Sequence, residues 1–328
     1  MRHRPDLREA ARVPPQAVRS LSPEAGTELI ELARASMVTR ERDLMAFEYA
    51  DPQDVRLVDD GDGLAFGFCG VIPERRFLLP ALYGALTLKN GVPIGYVQVE
   101  AIGRFAAISF NTFETWRGAE TAHVFSRLLA AVRQLFGATS LSIEPYQLGH
   151  DNSEGIETGA WWFYYKLGFR PKASVARRLV SQELARLRDD PSYRSSEEAL
   201  LKLAEWHLFF ELDSARSHGL PPVQEILHKA VLTLIARGAG ERAEQSCERE
   251  ALERTGLKSL DDFTADERLA WKRWAPIVAS LPEIARWNPA ERRALAGVVR
   301  AKGARRETTF VEKFAQHPKL ARALFGAA

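Results

Sequence analysis

The sequence predicts an α+β fold: a mixed, mostly antiparallel β-sheet flanked by helices, followed by an all-α C-terminal domain. Two observations predict it. Short runs rich in β-branched and aromatic residues fill residues 55–113, whereas beyond Arg178 the strand pattern ends and helix-start signals recur. With 328 residues and 46% hydrophobic content, the chain is large enough to form two hydrophobic cores.

The folded part is expected to begin with a helix and to continue as a β-meander. Ser22 is a helix N-cap residue followed by Pro23, and apolar residues then recur at helical spacing toward Phe47. The strands of the meander are predicted at residues 55–58, 64–71, 82–88, 92–99 and 106–113. Asn90-Gly91 favours a type I′ hairpin turn, because both residues tolerate positive φ.

A helix, a strand, a second helix and a final strand should complete the sheet. The pattern predicts a helix over residues 118–136 that ends at Gly137, and a strand over residues 140–146. An aromatic helix over residues 160–167 follows. Gly168 then supplies the left-handed C-cap, and Phe169 opens an extended segment in which Pro171 prevents the helix from resuming.

The helix signals of the C-terminal part are an N-cap or a proline at each expected start. They predict helices over residues 196–212 and 222–237 and further helix starts near Ala265, Pro289 and His317. The domain boundary is expected between residues 180 and 195. The sequence thus predicts a disordered tail over residues 1–20, a first domain over 21–185 and an all-α domain over 195–328.

Charge and cysteine content restrict the class of protein. The formal charge is +2, from 45 basic and 43 acidic residues, so bulk charge favours neither a nucleic-acid nor a membrane partner. Cys69 and Cys247 lie far apart in sequence, which argues against a disulfide framework and for a reducing compartment. Because no long apolar stretch occurs, we expect a cytoplasmic protein.

The segment Ala160-Trp-Trp-Phe-Tyr-Tyr-Lys-Leu-Gly-Phe169 resembles the last motif of the GNAT superfamily of N-acetyltransferases. In that family this helix lies beside the thiol end of acyl-coenzyme A. The resemblance covers about residues 60–180 and implies a GNAT-like sheet, acetyl-CoA or another acyl-CoA as co-substrate, and an amine acceptor. It also implies that Tyr164 protonates the departing thiolate, a role that suits a phenol. The alternative is that Tyr164 only packs.

The segment from Trp116 to Ala122 lies where the family has its phosphate loop. Such a loop binds pyrophosphate through backbone N–H groups at a helix N-terminus. Glu120 departs from the pattern, since it stands where the family most often has glycine. If Glu120 turns inward it replaces the phosphate, and if it turns outward the loop can still work. The resemblance implies these coenzyme-binding residues: Phe113, Trp116, Arg117, Gly118, Ala119, Glu120, Thr121 and Ala122.

The acceptor amine must lose a proton, and a carboxylate or histidine near the central strands can take it. Glu114 is the first candidate because it adjoins the phosphate loop; the others are Glu100, Glu144, His150 and Asp151. The segment over residues 144–152 is expected to line the acceptor side, with Glu144, Tyr146 and His150 contacting the substrate. No metal is expected, since the sequence has no HExxH motif and no CxxC pair.

Three functions remain open from the sequence. The first is an acyl-CoA-dependent N-acyltransferase whose helical domain serves substrate choice or self-association. The second is a catalytically inactive GNAT-like scaffold in which Glu120 occupies the phosphate loop and the helical domain binds a protein. The third is an aminoacyl-tRNA-dependent transferase of related fold, which needs a basic channel. Residues 292–306 are rich in Arg and Lys, but flanking glutamates favour a solvated helix face.

Overall fold

The computed structural model describes residues 4–42, 45–213 and 219–326. Within these residues nine strands form a single sheet. Their bounds are β1 Ala17–Ser20, β2 Ala50–Gly61, β3 Leu64–Val71, β4 Ala81–Lys89, β5 Val92–Ile102, β6 Phe105–Thr112, β7 Ser140–Ile143, β8 Arg170–Pro171 and β9 Leu208–Glu211. Their spatial order is β1-β2-β3-β4-β5-β6-β7-β9-β8. The α+β class and the mixed sheet are therefore confirmed.

Helices flank the sheet and form most of the C-terminal part. Their bounds are α1 Leu7–Arg12, α2 Pro23–Val38, α3 Met45–Glu48, α4 Thr121–Phe136, α5 Pro145–Leu148, α6 Ser153–Glu157, α7 Ala160–Lys166, α8 Ser174–Asp189, α9 Glu197–Ala204, α10 Val223–Ile235, α11 Gly240–Thr255, α12 Ala265–Ala279, α13 Pro289–Lys302, α14 Thr308–Ala315 and α15 Pro318–Phe325. Three short 3₁₀ helices lie at Pro73–Arg75, Glu114–Trp116 and Pro282–Arg286. None of the described helices combines the length and apolarity needed to cross a bilayer.

The pair β6 and β7 is parallel, whereas the other neighbouring strands of the sheet pair antiparallel. Their pairing covers only Phe105–Ala107 against Ser140–Ser142. Beyond that point β6 continues to Thr112 while β7 ends at Ile143. The two strands therefore separate, and the edge of β6 has no partner from β7 over its second half.

The two faces of β6 differ in burial. Ala106, Ile108 and Phe110 are buried on the face that α4 covers, where the rings of Phe110 and Phe125 lie 5.2 Å apart. On the opposite face Ala107, Ser109 and Asn111 are only half-buried, and so are their partners on β5, Glu100, Gln98 and Tyr96. On that face α2 covers β2 and β3, so the part over β5 and β6 stays partly open to solvent.

The turns and helix ends that short sequence motifs predicted are confirmed. Asn90 and Gly91 have φ values of 51° and 78° and join β4 to β5, as the hairpin prediction requires. Ser22 accepts a hydrogen bond from the Ala25 N–H and caps α2. Gly168 adopts φ 106° directly after the aromatic helix. These turns depend on adjacent residues, which is why they were predictable.

The prediction of a disordered tail over residues 1–20 is wrong for the described residues 7–20. These residues form α1 and β1, and β1 pairs antiparallel with β2. Leu7 and Ala11 are buried in the core. Arg127 on α4 secures the segment by donating to the carbonyls of Ala10 and Val13. The polar, arginine-rich composition concealed this order, because the stabilising contacts come from distant residues.

The predicted helical C-terminal region is confirmed, but its predicted start at residue 195 is wrong. The predicted helix over residues 196–212 ends at Ala204, and Leu208–Glu211 forms β9. This strand lies between β7 and β8, where it pairs with Leu141 and Arg170 among others. The open edge of β7 requires hydrogen-bond partners, and this requirement overrides the helical pattern.

The C-terminal helices share a core with the sheet. A continuous cluster of buried side chains extends from β3 and β4 through α12, α13 and α14. Polar contacts join the same parts: the indole N–H of Trp274 donates to the Leu78 carbonyl at 2.7 Å, and Lys302 donates to the Leu79 and Pro80 carbonyls. The helical part thus lies against the strands rather than apart from them.

Candidate functional site

The separation of β6 and β7 opens into a cavity of about 470 Å³, named here the loop cavity. The end of β6, the start of α4, the segment around α5 and α6, and α7 form its walls. Among the residues that line it are Asn111, Arg117, Tyr146, Glu154 and Tyr164. The cavity therefore brings together two segments singled out in the sequence, residues 117–122 and the aromatic helix.

The aromatic helix α7 directs its two tyrosines to different surroundings. Tyr164 lines the loop cavity, is only 3% exposed and lies edge-on to Phe125 at 5.5 Å. Tyr165 instead stacks on Trp161 and lies under the Arg170 guanidinium. Burial raises the pKa of Tyr164. The phenol thus retains its proton at neutral pH and is available as a donor in the cavity.

The segment over residues 117–122 meets the cavity at the N-terminus of α4. Gly118, Ala119, Thr121 and Ala122 line the wall, and the Gly118 N–H donates to the Thr121 hydroxyl at 3.2 Å. A Cβ added at Gly118 would meet no atom within 4 Å, so the backbone there is open to a ligand. The helix N-terminus adds a positive potential. This wall suits an anionic group.

Glu120 does not occupy the loop cavity. It precedes the first residue of α4 and contributes instead to a small neighbouring cavity of about 50 Å³, together with Trp116. The Glu120 side chain is exposed, which agrees with the outward alternative.

Glu154, in the first turn of α6, takes the place that the sequence suggested for Glu120. Arg42 donates to its two carboxylate oxygens at 2.6 and 2.8 Å, and Arg117 contacts the same carboxylate. The hydrogen bonds from Arg42, then those from Arg117, lower the pKa of Glu154 to about 2. A carboxylate of the protein itself therefore uses the guanidinium groups that an incoming phosphate would need.

A second cavity of about 520 Å³ lies on the partly open face of the sheet and is named here the acidic cavity. Glu100 on β5, Glu144 after β7 and His207 before β9 line it, and residues 220–225 close it from the helical part. Burial and the neighbouring charge of Glu144 raise the pKa of Glu100, and burial raises that of Glu144. Burial also lowers the pKa of His207. Burial thus disfavours the charged form of each of these three groups.

No protein-family model, curated protein or solved structure matches this chain. What the site can do therefore follows from its own residues. One cavity is lined by Arg42, Arg117 and the buried Tyr164, and the other by Glu100 and Glu144. No group of three His, Cys, Asp or Glu residues in the described part of the chain is arranged to hold a metal ion.

Several residues expected at the site lie elsewhere. Phe113 is buried in a separate cluster beneath the Arg40 guanidinium, 4.2 Å from its ring. Glu114 is exposed on a 3₁₀ helix and lines neither cavity. His150 is exposed near Asp151 and also lies outside both linings. Glu144 lines the acidic cavity, whereas the exposed Tyr146 lines the loop cavity.

Sequence reasoning missed Arg42, Glu154 and His207 as site residues. Arg42 follows α2 and is separated from Glu154 by 112 positions, so no local pattern connects them. His207 looked like an ordinary packing histidine of a helix, because β9 was not predicted. A weak signal existed for Glu154 alone: Asn152 caps α6, which places Glu154 in the first helical turn.

Proposed function

We propose that the protein is an acyl-CoA-dependent N-acyltransferase, in the simplest case an N-acetyltransferase, in which an amine attacks the thioester directly. One observation carries the proposal: Tyr164, Arg117 and the N-terminus of α4 line a common cavity where β6 and β7 separate. The resemblance of residues 160–169 to the GNAT motif agrees with this arrangement. A cytoplasmic location belongs to the same proposal, supported by the buried, unpaired Cys69 and Cys247.

Each part of the reaction has a group suited to it. The N-terminus of α4, which lines the cavity at Thr121 and Ala122, would hold the phosphates of the coenzyme. The edge of β6 beyond Ala107, which lacks a β7 partner, offers backbone groups to polarise the thioester carbonyl. As the new C–N bond forms and the C–S bond breaks, Tyr164 would protonate the departing thiolate.

Glu144 and Glu100 replace Glu114 as the candidate bases for the proton of the amine. Both line the acidic cavity, and both have pKa values raised by burial. A base works best when its pKa lies near the working pH. The proton of the attacking nitrogen would pass to one of these carboxylates.

A second candidate function is a non-catalytic scaffold that binds a protein through its helical part. The contacts of Glu154 with Arg42 and Arg117 favour it, because they occupy cationic groups of the loop cavity. The two functions differ in a measurable way: only the transferase requires coenzyme binding.

Tyr164→Phe is expected to leave acetyl-CoA binding nearly unchanged and to slow acetyl transfer by about a hundredfold or more. The phenylalanine fills the same buried space but cannot donate a proton. Calorimetric titration with acetyl-CoA measures binding, and release of free thiol with a panel of amines measures transfer. Tyr165→Phe is the matched control, since Tyr165 stacks on Trp161 outside the cavity.

An equal loss of rate in both tyrosine variants would contradict the role given to Tyr164. If acetyl-CoA binds neither the wild type nor Glu154→Gln, the transferase is wrong and the scaffold is favoured. Micromolar binding by either protein would support the transferase.

A further inference from the structure

A third cavity, of about 580 Å³, lies where the C-terminal helices meet the turn between β5 and β6, and it is named here the apolar cavity. This turn, residues 219–222 before α10, the end of α14, and α15 form its walls. It is larger than the loop cavity and the acidic cavity, and its described lining has no residue in common with that of the loop cavity. Its size is typical of pockets that bind small organic molecules.

The fold itself holds the walls of the apolar cavity in place. Gly103 in the β5–β6 turn has φ 58°, and a Cβ there would lie 3.2 Å from the Phe314 ring, so the turn packs directly on α14. The Arg104 carbonyl accepts a hydrogen bond from the Ser140 N–H at 3.0 Å, which fixes the turn against β7. The rings of Phe314 and Phe325 lie 5.4 Å apart and join α14 to α15. The cavity is therefore formed without a ligand.

Apolar side chains from three separate segments remain partly open at this cavity. Leu220 is 43% exposed, and Phe105 and Phe325 are half-buried. Prolines and alanines contribute further apolar surface to the lining: Pro221, Pro222, Pro318, Ala315 and Ala321. Because apolar surface in contact with water is unfavourable, an apolar ligand that covers these side chains would be bound.

The charged side chains of the described lining are all of one sign. They are Arg104 on the β5–β6 turn and Arg322 on α15. Both are exposed, and neither side chain makes a hydrogen bond or an ion pair with another described residue. The nearby Glu211 accepts a hydrogen bond from the lining residue Ser140 at 3.1 Å and pairs with Lys172 rather than with these arginines. Two guanidinium groups beside apolar surface suit a ligand with one carboxylate.

We propose that the apolar cavity binds a free fatty acid of medium chain length. The hydrocarbon chain lies against Phe105, Leu220 and Phe325, and the carboxylate lies beside Arg104 or Arg322. A plain hydrocarbon chain fits this lining, because its side-chain hydroxyl, that of Ser140, is already hydrogen-bonded within the protein. This site is additional to the proposed acyl transfer and does not depend on it.

Calorimetric titration with octanoate tests the site, and octanol is the matched ligand that has the same chain length but no charge. Wild type is expected to bind octanoate about tenfold more tightly than octanol. Affinity should also rise about fourfold for each CH₂ added from butanoate to octanoate, because each group buries more apolar surface. The double variant Arg104→Gln/Arg322→Gln should lose about tenfold in octanoate affinity and bind octanol as wild type does. Arg19→Gln/Arg293→Gln, which removes two exposed arginines outside the cavity, is the matched control.

A further variant, Ala321→Phe, fills the cavity from α15 and should abolish binding of both octanoate and octanol. Circular dichroism confirms that each variant is folded. Equal affinity for octanoate and octanol, affinity that does not depend on chain length, or wild-type octanoate binding by the double arginine variant would overturn the inference. Acetyl-CoA binding should be unchanged in these variants, because the apolar cavity and the loop cavity have no described lining residue in common. The inference and the proposed function can therefore fail separately.

Discussion

Glu307→Gln is expected to lower the free energy of unfolding by about 3 kcal/mol or more. Glu307 is fully buried, contacts Lys302 and lies 3.9 Å from the Arg76 guanidinium. Burial raises the pKa of Glu307 and lowers that of Lys302, since desolvation disfavours both charges. Glutamine keeps the size of the side chain but removes the carboxylate that contacts Lys302, so that Asp54 is the buried carboxylate left to act on Arg76.

The same cluster holds the helical part on the strands. Arg76, which follows β3, donates to the carbonyls of Lys302 and Ala304 at 2.8 and 2.7 Å. Loss of Glu307 should therefore loosen the contact between the sheet and α13–α14, not only one ion pair.

Urea denaturation, followed by circular dichroism, measures the change in stability. Glu198→Gln is the control, because its ion pair with Lys202 is exposed and such pairs contribute little. Equal unfolding free energies for Glu307→Gln and wild type would show that the cluster tolerates loss of its carboxylate.

Glu154→Gln is expected to tighten acetyl-CoA binding by about tenfold or more. The carboxylate of Glu154 competes with phosphate for Arg42 and Arg117, and the neutral amide competes much less. Calorimetric titration measures the two dissociation constants. Glu157→Gln, an exposed change in the same helix α6, is the matched control and should bind as wild type. Unchanged affinity in Glu154→Gln would show that the arginines do not contact the coenzyme.

Protonating Glu154 with mild acid does not reproduce the effect of Glu154→Gln on acetyl-CoA binding. The pKa of Glu154 falls from its ordinary 4.5 to about 2. The stabilising contribution of the ion pair is therefore complete above pH 4.5 and is lost only as the pH falls toward 2. The difference in acetyl-CoA affinity between Glu154→Gln and wild type should thus be the same at about pH 6 and about pH 8.

Much of the fold was predictable because its signals are local. The β4–β5 hairpin follows from Asn90-Gly91, and the sharp end of α7 follows from Gly168. The placement of Tyr164 and Tyr165 on different sides of α7 follows from helical spacing. Each of these predictions needs only the conformational limits of a few adjacent residues.

The site was predictable only in part. Residues 117–122 and α7 line one cavity. The base was assigned to Glu114 because of its position in sequence, yet Glu114 is exposed and Glu100 and Glu144 line a cavity. Position along the chain says little about which carboxylates become buried, because burial depends on packing against elements that are distant in sequence.

The sequence by itself determined the α+β class, the hairpin and the glycine-terminated aromatic helix, since backbone preferences and side-chain periodicity act over a few residues. Only the tertiary structure decided that residues 7–20 are ordered, that β9 completes the sheet, and that Glu154 meets Arg42 and Arg117. These outcomes depend on the hydrogen-bonding groups of strand edges and on charged side chains that are distant in sequence. They must be satisfied together, and a linear pattern does not record which distant groups will satisfy them.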